Sequence, residues 1–325
     1  MTTTTAGDPA TISPELLPCL TAAIAAPSIH NTQPWRFRVR HNVVDVFADR
    51  GRQLAVLDPD GRALAVSVGA AVFNLRAALL AHGHLPVLTL LPDRGEPDLL
   101  ARVVAGAAVA PPYAARRLAG AIPHRHSNRR PFASSRVPDS VADDLRAAAV
   151  AEGTRLLIAD DPLGEGILSV VRTAENRRRD DPDYLVELAA WTGAERGRRD
   201  GVPPVAYAPR DPDERLPLRD FGLAHPVRHG WPAAGIDQPT VAVLYTDGDD
   251  LRAWLHAGQA LERVLLTATA EGLQSTLMTQ PLEYPELRAL FEDSATNRIA
   301  QAIIRFGYGR EAPASPRRPL AGFLI

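Results

Sequence analysis

PSIHNTQPW, residues 27 to 35, places two prolines with Ser28, His30, Asn31, Thr32 and Gln33 between an Ala/Leu-rich helical pattern and a strand pattern. Pro27 and Pro34 fix φ and keep their neighbours out of a helix. The stretch between them is a held loop presenting uncharged donors and acceptors. Such a row suits the imide and carbonyl edges of a flat heteroaromatic ring. An ordinary polar turn has the same composition, so the rest of the chain has to decide between the two.

Working outward, Ser13 and Pro14 read as the N-cap and first position of a helix over 14–26 that leads into this loop. Residues 35–39 and 43–47 read as a hairpin or two short strands on either side of Arg40-His41-Asn42. Ser67 to His82 carries Val68, Val72, Leu75 and Leu79 on one helical face and stops at Gly83. A strand over 86–91 and a helix over 111–121 complete the first half. The second half repeats the order: helix 139–151, strand 154–159, strand 240–245, helix 250–271 ending at Gly272, and strand 299–306. The two long helices align without a gap, Gly69 with Gly258, Ala71 with Ala260, Ala81 with Ala270 and Gly83 with Gly272. Alanine-rich helices coincide by chance; the alternative is a duplication that makes the chain a dimer fused into one polypeptide.

The chain has 325 residues, enough for two domains of ordinary size or one large one. Hydrophobic residues make up 46% and charged residues 23%, the balance of a globular protein. With 36 basic and 38 acidic side chains the net charge is −2, which gives no electrostatic reason to expect nucleic acid or an acidic membrane as the main partner. There is no lysine, so lysine Schiff-base chemistry is excluded and every fixed cation is an arginine, a planar fork suited to phosphate and carboxylate. Cys19 is the only cysteine, which rules out an intrachain disulfide and a cysteine metal cluster. The Thr-rich start, Met1 to Ser13, does not read as a signal peptide. The most apolar run, 63–81, is broken by Asn74 and Arg76 and reads as too short to span a membrane. The expectation is a cytoplasmic protein.

A second held loop, IPHRHSNRRPF, spans Ile122 to Phe132. In an extended loop Arg125, Ser127 and Arg129 face one way, and two guanidinium forks with a hydroxyl make an anion site; a solvated basic loop is the plainer reading. Arg317 and Arg318 form another pair held between prolines. No metal-ligand spacing, dinucleotide fingerprint or phosphate-binding loop of P-loop type is present. The segment of about 172–237 carries Pro203, Pro204, Pro209, Pro212, Pro217, Pro226 and Pro232 with Tyr184, Trp191, Tyr207, Phe221 and Trp231. So many aromatics imply packing, so it reads as a helical stem over 182–198 followed by a covering excursion.

Together, PSIHNTQPW and RHSNRRPF resemble the paired signature of the nitroreductase superfamily of FMN flavoproteins. The resemblance implies that Arg125 and Ser127 hold the flavin phosphate, that Arg129 lies near the N1 and C2 carbonyl edge, and that Arg317 or Arg318 is the C-terminal phosphate ligand. It implies ring contacts from Pro27, Ser28, Asn31 and the motif's Gln33, with an imidazole contact from His30. Backbone amides of Ser275, Thr276, Leu277 and Met278 would serve N5. Ile29 and His30 stand where small hydroxyl residues are frequent, and Arg129 where lysine is frequent.

Both segments lie on one chain in reversed order, which is similar to the Acg-like group, where two nitroreductase-like halves are fused and a lid covers the flavin. The implied architecture is α+β: a first half over 1–121 and a second over 122–325, forming an intramolecular pseudo-dimer with a lid insertion at about 172–237. Neither half repeats the other's motif, so one FMN per chain is expected. The chain would be a monomer as a fused pseudo-dimer, with further association open. The implied function is flavin sequestration or restricted redox chemistry, with NAD(P)H-dependent ping-pong reduction of a nitroaromatic or quinone as the alternative.

Overall fold

The chain enters through α1 (Leu16–Ile24) and then forms the hairpin expected around residue 41: β1 (Trp35–Arg40) pairs antiparallel with β2 (Val43–Ala48). His41 takes the left-handed conformation that the tight turn needs, with φ 53°. The computed structural model describes residues 12–193, 197–208, 216–225, 239–292 and 298–325. After α2 (Arg62–Ala81) come β3 (His84–Leu90), β4 (Leu99–Ala108) and α3 (Tyr113–Ala121). The first sheet has the order β1-β2-β4-β3. Next are α4 (Asp139–Val150), β5 (Arg155–Ile158), α5 (Asp161–Arg179), α6 (Pro182–Ala190), β6 (Thr240–Thr246), α7 (Leu251–Ala270), β7 (Gln274–Leu277), α8 (Pro285–Arg288) and β8 (Ile299–Gly307). The second sheet has the order β5-β6-β8-β7, the same path through the same positions.

The long helices α2 and α7 occupy equivalent places between the second and third strands of their sheets, and they meet at the aligned glycines. A Cβ built on Gly258 would overlap Val66 O and lie 2.8 Å from Gly69 Cα; one on Gly69 would overlap Leu255 O and lie 3.0 Å from Gly258 Cα. The contacts are reciprocal, as they are at a two-fold axis: each glycine meets the other and the residue three positions before it. Only glycine allows the two backbones to come this close.

Each long helix covers the inner face of its own sheet. Leu75 and Leu79 of α2 share a core with Val44, Val46 and Val103, while Leu261 and Leu265 of α7 share one with Leu244, Ile304 and Phe306. The outer faces differ. On the first sheet Arg38, Asp45 and Arg102 form a cross-strand ion network, which places Asp45 within the otherwise apolar β2. On the second sheet Val241, Val243 and Tyr245 pack against Ile167 and Val171 of α5. Burial on both faces explains why β6 reads as an unbroken apolar run.

Several boundaries depart from the sequence reading. β4, whose segment LLARVVAGAA has the composition of a helix, was not anticipated; pairing on both sides fixes it as a strand. Nor was α5, where Asp160 caps the Leu163 amide and outweighs Gly164 and Gly166. It runs through residue 172 without a break. The stem helix ends at Ala190, not at 198. α2 starts at Arg62 because the Asp58 carboxylate accepts the Ala63 and Leu64 amides. With 20 residues α2 does reach a length and hydropathy that could cross a bilayer, contrary to expectation, but most of it is buried inside the protein. Of the covering excursion, Pro209, Pro212, Pro226, Trp231 and Pro232 lie outside the described residues, as does the start of the chain through residue 11.

Candidate functional site

The Pro27–Trp35 loop is held in a costly backbone conformation. His30, Asn31 and Gln33 have φ of 44°, 54° and 52°, in the left-handed region that side chains with a Cβ seldom occupy. The surroundings over-determine it. Ser28 Oγ accepts the Gln33 amide, Ser67 Oγ of α2 accepts the Ile29 amide, and Asn31 donates to Gly201 O and Pro316 O. Gln33 donates to Arg199 O and accepts from the Arg318 amide. The insertion and the C-terminal segment thus pin the loop from two sides.

The second loop adds to the edge of the second sheet: Ser127 forms a parallel bridge with Ser275 of β7, and the Asn128 amide donates to Ser275 O at 2.8 Å. The C-terminal segment returns to the first sheet, where Leu324 bridges Phe37 of β1 and Phe323 stacks on Trp35. On the way, Arg317 donates to Ile24 O, Ala25 O and Ala26 O, the open carbonyls at the end of α1, and to Asn31 Oδ1.

Where these segments meet lie two adjoining cavities that share Pro27, Ser28, His30, Ser127 and Arg129 in their walls. The larger, about 100 Å³, continues toward Arg62, Leu277 and Gln301 and is also lined by Arg219 and Phe221. The smaller, about 50 Å³, is walled by Asn31, Arg125, His126 and Arg317. Of the residues singled out from sequence, Pro27, Ser28, His30, Asn31, Arg125, Ser127, Arg129, Leu277 and Arg317 therefore line one cavity or both. The others lie elsewhere. Gln33 and Arg318 bond each other, and the Arg318 guanidinium lies over Phe323. Ser275 and Thr276 of β7 pair with Phe306 and Arg305 of β8, and Met278 is in the core with its amide donating to Ile303 O.

No family model matches the chain. It is 36% identical over 311 residues to a Mycobacterium tuberculosis protein provisionally named NAD(P)H nitroreductase Rv3131, covering 93% of this chain and 88% of that one. It is 32% identical over 308 residues to the acg protein of the same organism, which bears the same provisional enzyme name, covering 92% and 91%. The chain belongs to the nitroreductase superfamily, in its Acg-like group. Among solved structures, a nitroreductase with bound FMN from Bacteroides fragilis overlaps 62% of this chain and 93% of its own at 13% identity and a TM-score of 0.38.

The electrostatics of this Acg-like site are dominated by buried guanidiniums. Arg129 donates to Ala206 O and lies 4.5 Å from the centre of the Phe221 ring, with no carboxylate partner among the described residues. Burial, with Arg219 nearby, pulls its pKa down to about 10, and burial pulls that of Arg317 down to about 9, so both remain cations at neutral pH. His30 is 5% exposed, neither ring nitrogen has a hydrogen-bond partner, and its ring meets Phe221 edge-on at 5.1 Å. Burial, with Arg219 and Arg129 adding to it, holds its pKa well below the ordinary value and keeps the imidazole neutral. Unpartnered polar groups in the wall and an excess of positive charge fit a ligand that is anionic at one end and rich in donors and acceptors at the other.

Sequence reasoning named Phe221 only as one of the aromatics of the excursion and did not single out Arg219 or Glu283. Arg219 donates to the Glu283 carboxylate and lies 3.3 Å from Tyr184 Oη, and Asp220 N donates to Glu175 Oε1. This stretch is held in place by buried charge. Its only signal in sequence is the aromatic spacing of the excursion: Tyr184, Leu188, Val202, Tyr207 and Phe221 gather into one cluster with Leu54 and Leu57 of the first half.

Proposed function

We propose that the chain is a flavoprotein that holds one FMN where the Pro27–Trp35 and Ile122–Phe132 loops meet, beneath the insertion. It sequesters the flavin or confines it to restricted redox chemistry. The supporting observation is that Phe221 and Arg219, carried by the insertion, form part of the cavity wall and are themselves buried at 3% and 7% exposure.

On this reading the two halves, 1–121 and 122–325, form an intramolecular pseudo-dimer and each supplies one loop of a single site; the reciprocal Gly69–Gly258 contact supports this. Arg125, Ser127 and Arg317 would hold the phosphate. Pro27, Ser28, Asn31 and His30 would line the ring, and Leu277 would border it. Bound FMN supplies reversible two-electron hydride chemistry. The chain's part is to bind, orient and exclude water. Arg129 provides a fixed, desolvated positive charge suited to negative charge on the ring's pyrimidine edge. Neutral His30 offers one donor and one acceptor.

The donor set fits FMN. The cavities, about 100 and 50 Å³, are smaller than the roughly 300–1,000 Å³ typical of a cofactor pocket, so their walls have to move apart on loading. The names of the relatives favour a second reading, an NAD(P)H-dependent reductase passing hydride in ping-pong fashion to a nitroaromatic or quinone.

The test is to purify the protein, record flavin absorbance near ~450 nm, and add NADPH or NADH anaerobically. A stoichiometric flavin that stays oxidised with either nucleotide yet bleaches with dithionite is the expected result. Rapid bleaching would favour the reductase, and a colourless protein that takes up no added FMN would sink both readings.

A further inference from the structure

Glu262, in the middle of α7, is fully buried, and neither of its carboxylate oxygens has a hydrogen bond of ordinary geometry. Its Oε1 lies 3.4 Å from Nε of Arg125, an atom with no hydrogen bond; the guanidinium is almost completely buried and donates through Nη2 to Ala25 O at 3.3 Å. The charged groups that act on Glu262 are Arg125, from the loop after α3, and Arg317, from the C-terminal segment; the neutral amide of Asn74 on α2 lies beside it. His126, close to the same two arginines, is held near pKa 4 by burial, Arg125 and Arg317 and is neutral at pH 7. The cluster therefore contains two guanidiniums and one carboxylate. A buried charge is kept only where it is compensated.

We propose that Glu262 is an exchangeable counter-ion of the smaller cavity: it balances Arg125 while no phosphate is bound, and it takes up a proton when a phosphate dianion replaces it there. The inference rests on the reading that this cavity receives the FMN phosphate. Two guanidiniums match a dianion without help. A third negative charge, walled off from water behind Arg125, is then uncompensated and is removed by protonation. Burial already raises the Glu262 pKa to about 7 against the pull of Arg125, so an anion bound nearby has little further to move it.

The sign is fixed by linkage. Above about pH 7 the free protein carries an ionised Glu262 and the complex a protonated one, so FMN binding consumes a proton and weakens by up to roughly tenfold per pH unit. Riboflavin, which lacks the phosphate, serves as the control. Flavin-free wild-type protein is titrated with FMN and with riboflavin at about pH 8 by calorimetry in buffers of different ionisation enthalpy, and the same is done with Glu262→Gln. Uptake approaching one proton is expected for FMN and none for riboflavin. The variant is expected to take up none and to bind FMN about tenfold more tightly than wild type at that pH, with riboflavin affinity unchanged.

If Glu262 only supports the fold, the variant weakens both flavins alike at every pH and wild-type FMN binding consumes no proton; either result overturns the proposal. The proton count is made on wild type, so it decides the matter even if the variant does not fold. Wild-type protein that binds FMN but consumes no proton leaves the functional reading intact and removes this one. Wild-type protein that does not bind FMN removes both.

Discussion

At the residue scale, the site is built from side chains held in positions they would not choose alone. His30 is left-handed, buried and unpartnered, a combination that costs stability and persists because Ser28, Ser67, Arg199, Gly201 and Pro316 fix the loop around it. Some of the cost is offset nearby. Asp249 accepts from both Nη atoms of Arg288 at 2.7 Å and from Trp254 Nε1 at 2.6 Å, and it bonds Gln301, whose side chain is in the cavity wall. Partial burial alone would raise its pKa, but Arg288 and Trp254 outweigh that and bring it down to about 2. A depressed carboxylate stabilises above its unfolded pKa of about 4, and that contribution disappears as pH falls toward 2. Urea unfolding at about pH 7, 4 and 2.5 should show wild type losing more stability over the acid range than Asp249→Asn. Parallel losses would mean the bonds carry no net stabilisation.

At the element scale, two contacts organise the molecule. The first is the crossing of α2 and α7. The atoms facing Gly258 are backbone and cannot step aside, so Gly258→Ala is expected to cost roughly 1–3 kcal/mol or more. In α5, Gly166 is exposed and has nothing within 4 Å of a built Cβ, so Gly166→Ala should gain about 0.5–1 kcal/mol. Equal effects in thermal melts would argue against a close crossing. The second contact is the insertion against the cavity. Glu187 of α6 accepts the Val56 and Leu57 amides at 2.8 and 3.0 Å, and the Phe221 ring contacts both His30 and Arg129. Phe221→Ala should cost roughly 3–5 kcal/mol of stability and, in FMN-loaded protein, speed anaerobic bleaching by NADPH at least about tenfold. An unchanged rate would show that Phe221 is not what restricts access.

At the scale of the whole molecule, the two sheets follow one path but their outer faces are treated differently. The second sheet is covered by α5 and the insertion, while the first carries the Arg38–Asp45–Arg102 network. The two polar loops are likewise unequal, one from each half, and both converge on the same pair of cavities. The expected content is therefore one FMN per chain, measured as flavin absorbance against protein after denaturation. A ratio near two would require a second site that the sequence does not provide for.

The chain alone determined the two held loops and the family resemblance, and it raised the repeat as one of two alternatives. Each is written in local terms: proline positions, glycine and alanine offsets along a helix, and the alternation of Arg125, Ser127 and Arg129. The strands β1 and β2 and the long helix α7 were legible for the same reason. Tertiary structure decided what depends on partners distant in sequence. An alanine-rich segment became β4 because strands lay on both sides of it. Glu262 became a buried counter-ion because a loop more than a hundred residues earlier brings Arg125 to 3.4 Å. Phe221 came to the cavity wall because it packs in one apolar cluster with Leu54 and Leu57. Composition and spacing record what a segment can do by itself; burial and charge compensation exist only once the chain has closed on itself.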